Sequence, residues 1–326
     1  MAMVVVYSAE EWARRVGAAA RPHSASVVTV GNFDGVHRGH QDILRSVAGL
    51  ARKTGALGAV LTFYPHPARV LRPDVAPPLL MTLEQRLRAF DAAGIEAALV
   101  LRFDAELAKV SAEDFVRRFL VETMRAKCVM IGGNFRFGHK QAGDVNLLRK
   151  LGQQWGFDVE TVAPVEVDGR VVSSTGIRDA VREGRMEDAA KMLGRPFALE
   201  GEIRTGTGQG RKLVVPTLNL ATEQETLPKN GVYATEAVVG GRTYRAATNV
   251  GVRPTFDAGR VSVESHLLGF AEDLTSGPME IRFFNRLRDE QKFAGPAALR
   301  EQVLRDIERA KELFAAREAA QPSAAG

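Results

Sequence analysis

The chain has 326 residues, of which 45% are hydrophobic and 25% are charged, which suits a globular protein of about two domains. Its formal net charge of +5 is modest, and no block of lysine and arginine is interleaved with aromatic residues, so a nucleic-acid-binding protein is not expected. The single cysteine, Cys128, lies in an apolar run and excludes a disulfide within the chain or a cysteine metal site. No apolar run reaches the length of a membrane span, and the first residues lack a secretory pattern. We therefore expect a cytoplasmic protein that does not bind membranes.

The first half of the chain alternates between strand-like and helical patterns. Strand-like apolar runs lie at residues 25–30, 58–63, 95–101, 127–131 and 157–162. Helical spacing of apolar residues lies between these runs, at residues 41–51, 83–94, 111–120 and 147–151. This alternation predicts a doubly wound parallel sheet with helices on both faces, and in such sheets ligands bind beyond the carboxyl ends of the strands.

The stretch that follows the first of these strands is rich in glycine and histidine. Residues 31–40 read Gly-Asn-Phe-Asp-Gly-Val-His-Arg-Gly-His and lead directly into a helical pattern. The N-terminus of a helix presents free N–H groups and the positive end of the helix dipole, and glycines let a bulky anion approach. His37 and His40 can donate hydrogen bonds to a polyphosphate. The stretch predicts a phosphate site, and two surface histidines in a polar loop are the alternative.

Two further strand ends carry unusual residues. Residues 63–67 read Phe-Tyr-Pro-His-Pro, and residues 132–138 read Gly-Gly-Asn-Phe-Arg-Phe-Gly. Asn134 offers both a donor and an acceptor, Arg136 can pair with phosphate, and Phe135 or Phe137 could flank an aromatic ring. Because strand ends of one parallel sheet share an edge, these loops predict one common pocket. The simpler alternatives are a rigid turn and a glycine loop with core phenylalanines.

A second helix start resembles the first in its chemistry. Residues 173–178 read Ser-Ser-Thr-Gly-Ile-Arg and precede a short helical pattern, with Ser174 as the expected N-cap. Hydroxyls, free N–H groups and Arg178 together predict a second element directed at phosphate. An ordinary capped helix is the alternative.

The pattern changes in the second half. From residue 198, short alternating runs are separated by glycine and proline, with strand-like segments at 201–204, 231–239, 242–247, 261–268 and 279–284. Close spacing of short strands predicts a small antiparallel β-barrel. Apolar residues from Leu299 to Phe314 then predict a long amphipathic helix that packs on the barrel. We place the domain boundary between residues 186 and 187, which gives domains of residues 1–186 and 187–326.

One segment of the second half combines a glycine loop with oxygen-bearing side chains. Gly206, Gly208 and Gly210 leave backbone N–H groups free to approach phosphate. Thr217 and Asn219 alternate on a predicted strand, so they share a face where their oxygen atoms suit Mg²⁺. Ordinary sheet surface is the alternative for this pair, and a surface glutamate is the alternative for a catalytic Glu264.

In order and spacing, these motifs resemble those of the bifunctional riboflavin kinase/FMN adenylyltransferases, the prokaryotic FAD synthetases. Residues 31–40 are similar to the flavin-adenylylating form of the nucleotidyltransferase His-x-Gly-His signature, and the loops at 63–67, 134–138 and 173–178 also have counterparts in the family. Gly-Arg-x-x-x-x-Pro-Thr-x-Asn at 210–219, Gly-Val-Tyr at 231–233, and the stretches at 248–256 and 263–268 are similar to the riboflavin kinase signature.

The resemblance implies two reactions. The N-terminal domain would adenylylate FMN to FAD with release of pyrophosphate, and the C-terminal domain would phosphorylate riboflavin to FMN. ATP, riboflavin and FMN would be the substrates and Mg²⁺ the cofactor, with a homo-oligomer left open. The implied ATP-binding residues are Gly31, Asn32, Phe33, Asp34, Gly39, Ser174, Thr175, Arg178, Gly206, Gly208 and Gly210; the flavin-binding residues are His66, Pro67, Asn134, Arg136 and Arg288; the catalytic residues are Glu264, His37 and His40; the metal ligands are Thr217 and Asn219.

Two departures from the family pattern bear on the kinase reaction. Val214 and Val215 stand where the family usually has Gly-Phe, and residues 273–277 lose a tyrosine and gain one residue. A monofunctional FMN adenylyltransferase with a degenerate, flavin-binding regulatory domain is therefore the alternative. A nucleotidyltransferase for another phosphorylated substrate and a flavin sensor without turnover are further rivals.

Overall fold

A computed structural model describes residues 2–17, 25–204, 216–252, 261–272 and 274–320. The chain forms two compact units, Met1–Ser174 and Thr175–Gly326. Among the helices of the described residues, none is long and apolar enough to cross a membrane.

The first unit is built on a six-stranded parallel sheet. Its strands are β1 (Val4–Val6), β2 (Ser26–Val30), β3 (Leu57–Tyr64), β4 (Ala97–Arg102), β5 (Ala126–Gly132) and β6 (Asp158–Val162), in the order β1-β4-β3-β2-β5-β6. Five of these strands were predicted, and β1 was missed because three residues are too few to show a period. A small hairpin of β7 (Glu166–Val167) and β8 (Arg170–Val171), also not predicted, follows the sheet.

Helices cover both faces of this sheet, as predicted for a doubly wound fold. They are α1 (Ala9–Trp12), α2 (Arg38–Thr54), α3 (Pro67–Leu71), α4 (Leu83–Ala92), α5 (Ala112–Phe115) and α6 (Val145–Trp155); π-helical turns Ala13–Gly17 and Val116–Thr123 continue α1 and α5, and 3₁₀ turns lie at Pro73–Val75, Leu107–Lys109 and His139–Gln141. Alternate residues of the buried strands serve two separate cores. Val28 and Leu61 belong to the core that contains Phe115 and Leu148, whereas Val27 and Val60 belong to the core that contains Phe90.

The strand order reverses between β2 and β5. From β2 the chain moves to β3 and β4 on one side, and it then returns to place β5 and β6 on the other side. In open parallel sheets the crevice at such a reversal, beyond the carboxyl ends of the strands, is where ligands bind. The loops at residues 31–40 and 132–138 both leave the sheet at this point.

The second unit is a closed antiparallel barrel with helices on either side of it in sequence. Its elements are α7 (Ser174–Glu183), whose first residue closes the first unit, α8 (Met186–Leu193), β9 (Phe197–Arg204), β10 (Leu218–Thr222), β11 (Gly231–Val239), β12 (Arg242–Val252), β13 (Val261–Leu267), β14 (Pro278–Arg288) and α9 (Pro296–Ala320). The strands close in the order β10-β13-β12-β11-β14-β9. Ala310 and Phe314 of α9 pack against Ala234 and Phe284 of the barrel, as the amphipathic pattern predicted.

Candidate functional site

The histidine pair lies at the start of α2. His37 is the N-cap of this helix, and its Nδ1 accepts a hydrogen bond from the His40 N–H at 3.4 Å. The two imidazole rings stack with centroids 3.7 Å apart and planes 17° apart. A side chain on Gly39 would bring its Cβ within 3.3 Å of the His37 ring, so glycine at this position leaves room for the stack. Both rings are therefore held at a helix N-terminus, where anions are favoured.

The surroundings of His40 keep its ring neutral. Burial lowers the pKa of His40 well below its ordinary value, and the neighbouring His37 lowers this pKa further. Its Nδ1 is buried and has no hydrogen-bond partner among the described residues. A neutral imidazole can still donate one hydrogen bond, and an arriving anion would stabilise the protonated form.

The loop before α2 adopts a strained backbone. Phe33 has φ of 53° and Val36 has φ of 38°, and the left-handed region is unfavourable for a β-branched residue such as Val36. Each such residue costs about 1–3 kcal/mol, a cost that is found mainly at functional sites. Other contacts must therefore hold the loop.

Several hydrogen bonds anchor this loop. The buried Asp34 carboxylate accepts from the Leu80 N–H at 3.0 and 3.1 Å and from the Met81 N–H at 3.2 Å. The Asp34 carbonyl accepts from the Ser174 hydroxyl at 2.8 Å. The Gln41 amide donates to the Val36 carbonyl at 2.8 Å. Asp34 and Phe33 are each only 3% exposed. Their contact with ATP stays a prediction.

The structure corrects the expected N-cap role of Ser174, and its predicted contact with ATP stays a prediction. This residue is the first residue of α7 rather than its N-cap. Its hydroxyl donates to the Asp34 carbonyl, in the loop before α2, instead of accepting a hydrogen bond from its own helix. Arg178, on the same helix, is 7% exposed. The assignment of Thr175 and Arg178 to ATP stays a prediction.

The other two predicted loops follow the strands on either side of β2. His66 caps α3, with its Nδ1 accepting from the Ala68 N–H at 3.2 Å, and Pro67 is the first residue of that helix. Asn134 and Arg136, which follow β5, are exposed. Since β3, β2 and β5 are neighbours, the topology brings the three loops to one edge of the sheet, as expected.

Phe137 does not fit the role of flanking an aromatic ligand. It is 7% exposed and belongs to the core with Phe115. Phe135 stacks on it at 5.3 Å and packs against the same core. The alternative of core phenylalanines is correct for Phe137, because the sheet needs apolar cover on this side.

In the barrel, three polar residues form one row across neighbouring strands. Asn219 of β10 lies opposite Glu264 of β13, and Glu264 lies opposite Asn249 of β12. Thr217 directly precedes β10. His266, two residues after Glu264, hydrogen-bonds through Nδ1 to the Pro216 carbonyl oxygen at 2.8 Å. No role was predicted for Asn249 or His266 from the sequence, although they lie within the motifs at residues 248–256 and 263–268.

The predicted flavin residue Arg288 makes several contacts within the unit. Its Nε lies 3.0 Å from both carboxylate oxygens of Asp306, and its Nη2 lies 2.8 Å from one of them. Its Nη1 donates to the Asp289 carbonyl at 2.9 Å, and its guanidinium lies 5.7 Å from the Phe293 ring centre. Its contact with flavin stays a prediction.

Several predicted features lie outside the described residues. They are Gly206, Gly208, Gly210, Val214, Val215, Asp273 and the segment 253–256. Across the ranges that are described, no three histidine, cysteine, aspartate or glutamate residues are grouped to hold a metal. Asn219 on β10 and Thr217, the residue before that strand, carry the side-chain oxygen atoms predicted to hold Mg²⁺, and Glu264 lies opposite Asn219 on β13. Such oxygen atoms fit an Mg²⁺ ion that keeps waters and substrate phosphates as further ligands, and the assignment stays a prediction.

Comparison with known proteins assigns each half of the chain. A family model described as FAD synthetase matches residues 19–176, and one described as riboflavin kinase matches residues 193–314. The predicted domain boundary between residues 186 and 187 lies in the interval between these matches and stays a prediction.

Full-length relatives combine both halves in one chain. The bifunctional riboflavin kinase/FMN adenylyltransferase of Escherichia coli (strain K12) is 35% identical over 294 residues, which cover 90% of this chain and 94% of that protein. The protein of the same name from Pseudomonas fluorescens is 37% identical over 294 residues, with the same coverage. Among solved structures, a macrolide-efflux protein from Streptococcus pneumoniae has a TM-score of 0.82 and 27% identity, covering 95% of this chain and 99% of that chain. The two family matches and these relatives agree with the order of folds and motifs, and the chain belongs to the bifunctional riboflavin kinase/FMN adenylyltransferase family.

Proposed function

We propose that this chain converts riboflavin to FAD in two steps. The barrel transfers the γ-phosphoryl group of ATP to the 5′-hydroxyl of riboflavin, which gives FMN. The first unit then transfers the adenylyl group of a second ATP to FMN. The observation that carries the proposal is that one chain holds both matched domains, each with a polar cluster of the required chemistry.

In the adenylyl transfer, a phosphate oxygen of FMN attacks the α-phosphorus of ATP. A new P–O bond forms, the bond to the β-phosphate oxygen breaks, and pyrophosphate leaves with the displaced electron pair. The reaction depends on alignment and on stabilising negative charge, and it needs no covalent intermediate on the protein. His37, His40 and the N-terminus of α2 lie together and supply donors for that charge.

The remaining predicted residues divide between the two substrates of this step. Gly31, Asn32, Phe33, Asp34 and Gly39 shape the ATP side, to which Ser174, Thr175 and Arg178 contribute; His66, Pro67, Asn134 and Arg136 contribute to the flavin side. The flavin residues follow β3 and β5, the strands on either side of β2, which supports this division.

In the kinase reaction, Glu264 accepts the proton of the riboflavin hydroxyl as that oxygen attacks the γ-phosphorus. The bond from the γ-phosphorus to the oxygen of the β-phosphate breaks, and ADP leaves with the electron pair. Thr217 and Asn219 would hold Mg²⁺, and the bound ion would neutralise charge on the phosphates. Gly206, Gly208 and Gly210 offer backbone N–H groups to ATP, and Arg288 contributes to the flavin side. The place of Asn219 beside Glu264 supports this arrangement and disfavours a degenerate barrel.

We place both reactions in the cytoplasm, the reducing compartment that a single cysteine suits. The partners are small molecules, and a homo-oligomer stays open. The riboflavin kinase match disfavours a nucleotidyltransferase for an unrelated phosphorylated substrate.

A time course tests the proposal directly. Purified protein is incubated with riboflavin, ATP and Mg²⁺, and riboflavin, FMN and FAD are separated by chromatography. We expect FMN first and FAD later. FAD from supplied FMN without any FMN from riboflavin would establish the monofunctional alternative, and binding of riboflavin without ATP consumption would indicate a sensor.

A further inference from the structure

Arg86 is a buried arginine that contacts the loop between β2 and α2. It lies on α4 and is 1% exposed. Its Nη1 donates to the Asn32 carbonyl oxygen at 2.6 Å. Its Nε and Nη2 are also buried, and neither has a hydrogen-bond partner among the described residues.

This arrangement is costly for the folded protein. Burial lowers the pKa of Arg86, and the nearby Asp34 and Tyr64 only partly oppose that effect. A buried charge with unpaired donors destabilises a fold, and an apolar side chain of similar volume would avoid the penalty. Such a group in a native structure calls for an explanation in terms of function or bound solvent.

Other buried polar atoms without partners are found near the same loop. They are Thr29 Oγ1, Asn32 Oδ1, His40 Nδ1 and Thr62 Oγ1. Thr29 and Thr62 alternate with core residues on the face of the sheet that also carries Val27 and Val60, the face on which α4 packs Phe90. Several unpaired polar atoms therefore lie where β2 enters the loop and where β3 flanks it.

The Arg86 hydrogen bond acts at the strained part of the loop. The Asn32 carbonyl belongs to the peptide that joins Asn32 to Phe33, the residue with φ of 53°. Holding this peptide plane restrains φ of Phe33 and therefore the direction in which its Cα–Cβ bond leaves the backbone. The Phe33 ring contacts the His40 ring edge-on, with centroids 5.1 Å apart, and His40 stacks on His37. A continuous set of contacts therefore leads from Arg86 to both histidines.

We propose that Arg86 is a positioning residue for adenylyl transfer. Through the Asn32 carbonyl it restrains the backbone at Phe33, and through the contact of the Phe33 ring with His40 it helps to hold His40 and His37 in place relative to the phosphates. This inference rests on the proposed function of the histidine pair and extends it to a residue that does not touch the substrate.

Substitutions at Arg86 test the inference in the full chain. Arg86→Met removes the donor and the charge at similar length, and Arg86→Lys keeps both a charge and one donor group. Arg88→Met is the matched control, because Arg88 is an exposed arginine on the same helix. The initial rates of FMN-to-FAD conversion give kcat and KM for ATP, and riboflavin phosphorylation by the same samples serves as the internal control.

We expect Arg86→Met to lower kcat of adenylyl transfer about 100-fold, the size of effect that a displaced catalytic group produces. The KM for ATP should change much less, because the helix N-terminus and the histidines remain present. Arg86→Lys should recover part of the lost kcat, and the control should match the unmodified chain. Riboflavin phosphorylation should be unaffected in all three variants.

Unfolding is followed separately by the fluorescence of Trp12 and Trp155, the two tryptophans of the chain, both in the first unit. A kcat for Arg86→Met equal to that of the control overturns the inference. A loss that only follows the fraction of unfolded protein overturns it as well. Retained FAD formation in a His37→Gln, His40→Gln double variant would instead refute the proposed function, so the two failures are distinguishable.

Discussion

The partly buried ring of His40 should make the first unit sensitive to acid. Burial and the neighbouring His37 hold its folded-state pKa well below the ordinary value of about 6.5. When the pH is below about 6.5, the imidazole of the unfolded chain binds a proton that the folded chain does not bind, so the free energy of unfolding falls as the pH falls. When the pH is well above about 6.5, the His40 imidazole is neutral in both the folded and the unfolded chain, and this dependence on pH is absent.

We therefore predict that His40→Gln flattens the acid side of the stability profile. One group can contribute a slope of at most about 1.4 kcal/mol per pH unit, lost when the imidazole is removed. Urea unfolding followed by Trp12 and Trp155 fluorescence between about pH 7 and pH 5 measures the difference. Parallel profiles for the variant and the unmodified chain would show that His40 does not carry this linkage.

Glu264 offers the corresponding test in the barrel. Glu264→Gln keeps the shape of the side chain but cannot accept a proton, so we expect FMN formation from riboflavin to be abolished. Conversion of supplied FMN to FAD should remain at the unmodified rate, because the His37 and His40 cluster is untouched. Equal loss of both activities would contradict separate sites.

At the scale of elements, three buried hydroxyls join neighbouring strands of the barrel. Thr235 of β11, Thr248 of β12 and Ser265 of β13 form a chain with oxygen distances of 2.6 and 2.7 Å. Ser265 is adjacent to Glu264, so the two side chains face opposite sides of β13. The hydroxyl chain therefore holds the strand that presents Glu264.

Removing the central hydroxyl should loosen this part of the barrel. Thr248→Val removes the hydrogen-bond partner of the buried Ser265 hydroxyl and leaves the Thr235 hydroxyl only its 3.3 Å hydrogen bond to the Ala246 carbonyl. We expect the change to cost about 1–3 kcal/mol. Thr248→Ser keeps the oxygen and should cost much less. Amide hydrogen exchange of β12 and β13 measures the change locally, and equal exchange in the two variants would show that the hydroxyl chain contributes nothing.

The sequence patterns predicted most elements because hydrophobic periodicity is local. The runs at residues 58–63 and 127–131 were found as β3 and β5 with ends shifted by about one residue. β12 extends to Val252, five residues beyond its predicted end, because cross-strand pairing with β13 continues through Gly251. Such extensions depend on hydrogen bonding to the neighbouring strand, so the sequence of the extended segment does not reveal them.

At the scale of the whole molecule, two units carry two reactions with different requirements. We expect Mg²⁺ to enter with ATP rather than to support the fold, because Mg²⁺ usually keeps several waters and binds through one or two protein oxygens together with substrate phosphates. Removal of divalent cations with EDTA should stop riboflavin phosphorylation and leave the circular dichroism spectrum unchanged. Added Mg²⁺ should restore the rate, and loss of folded structure on chelation would indicate a structural metal instead.

Local sequence patterns were enough to predict the order of the two folds, which the structure confirms. Because the motifs at residues 31–40 and 216–219 are contiguous, their spacing alone predicted a histidine pair at the start of a helix, which the stacked rings of His37 and His40 confirm. The shared face of Thr217 and Asn219 stays a prediction. Only the tertiary structure decided that Asp34 turns inward to Leu80 and that Arg86 supports Asn32. These contacts join residues 46 and 54 positions apart. Local patterns specify which residues share a face, whereas packing between distant elements decides which of them meet.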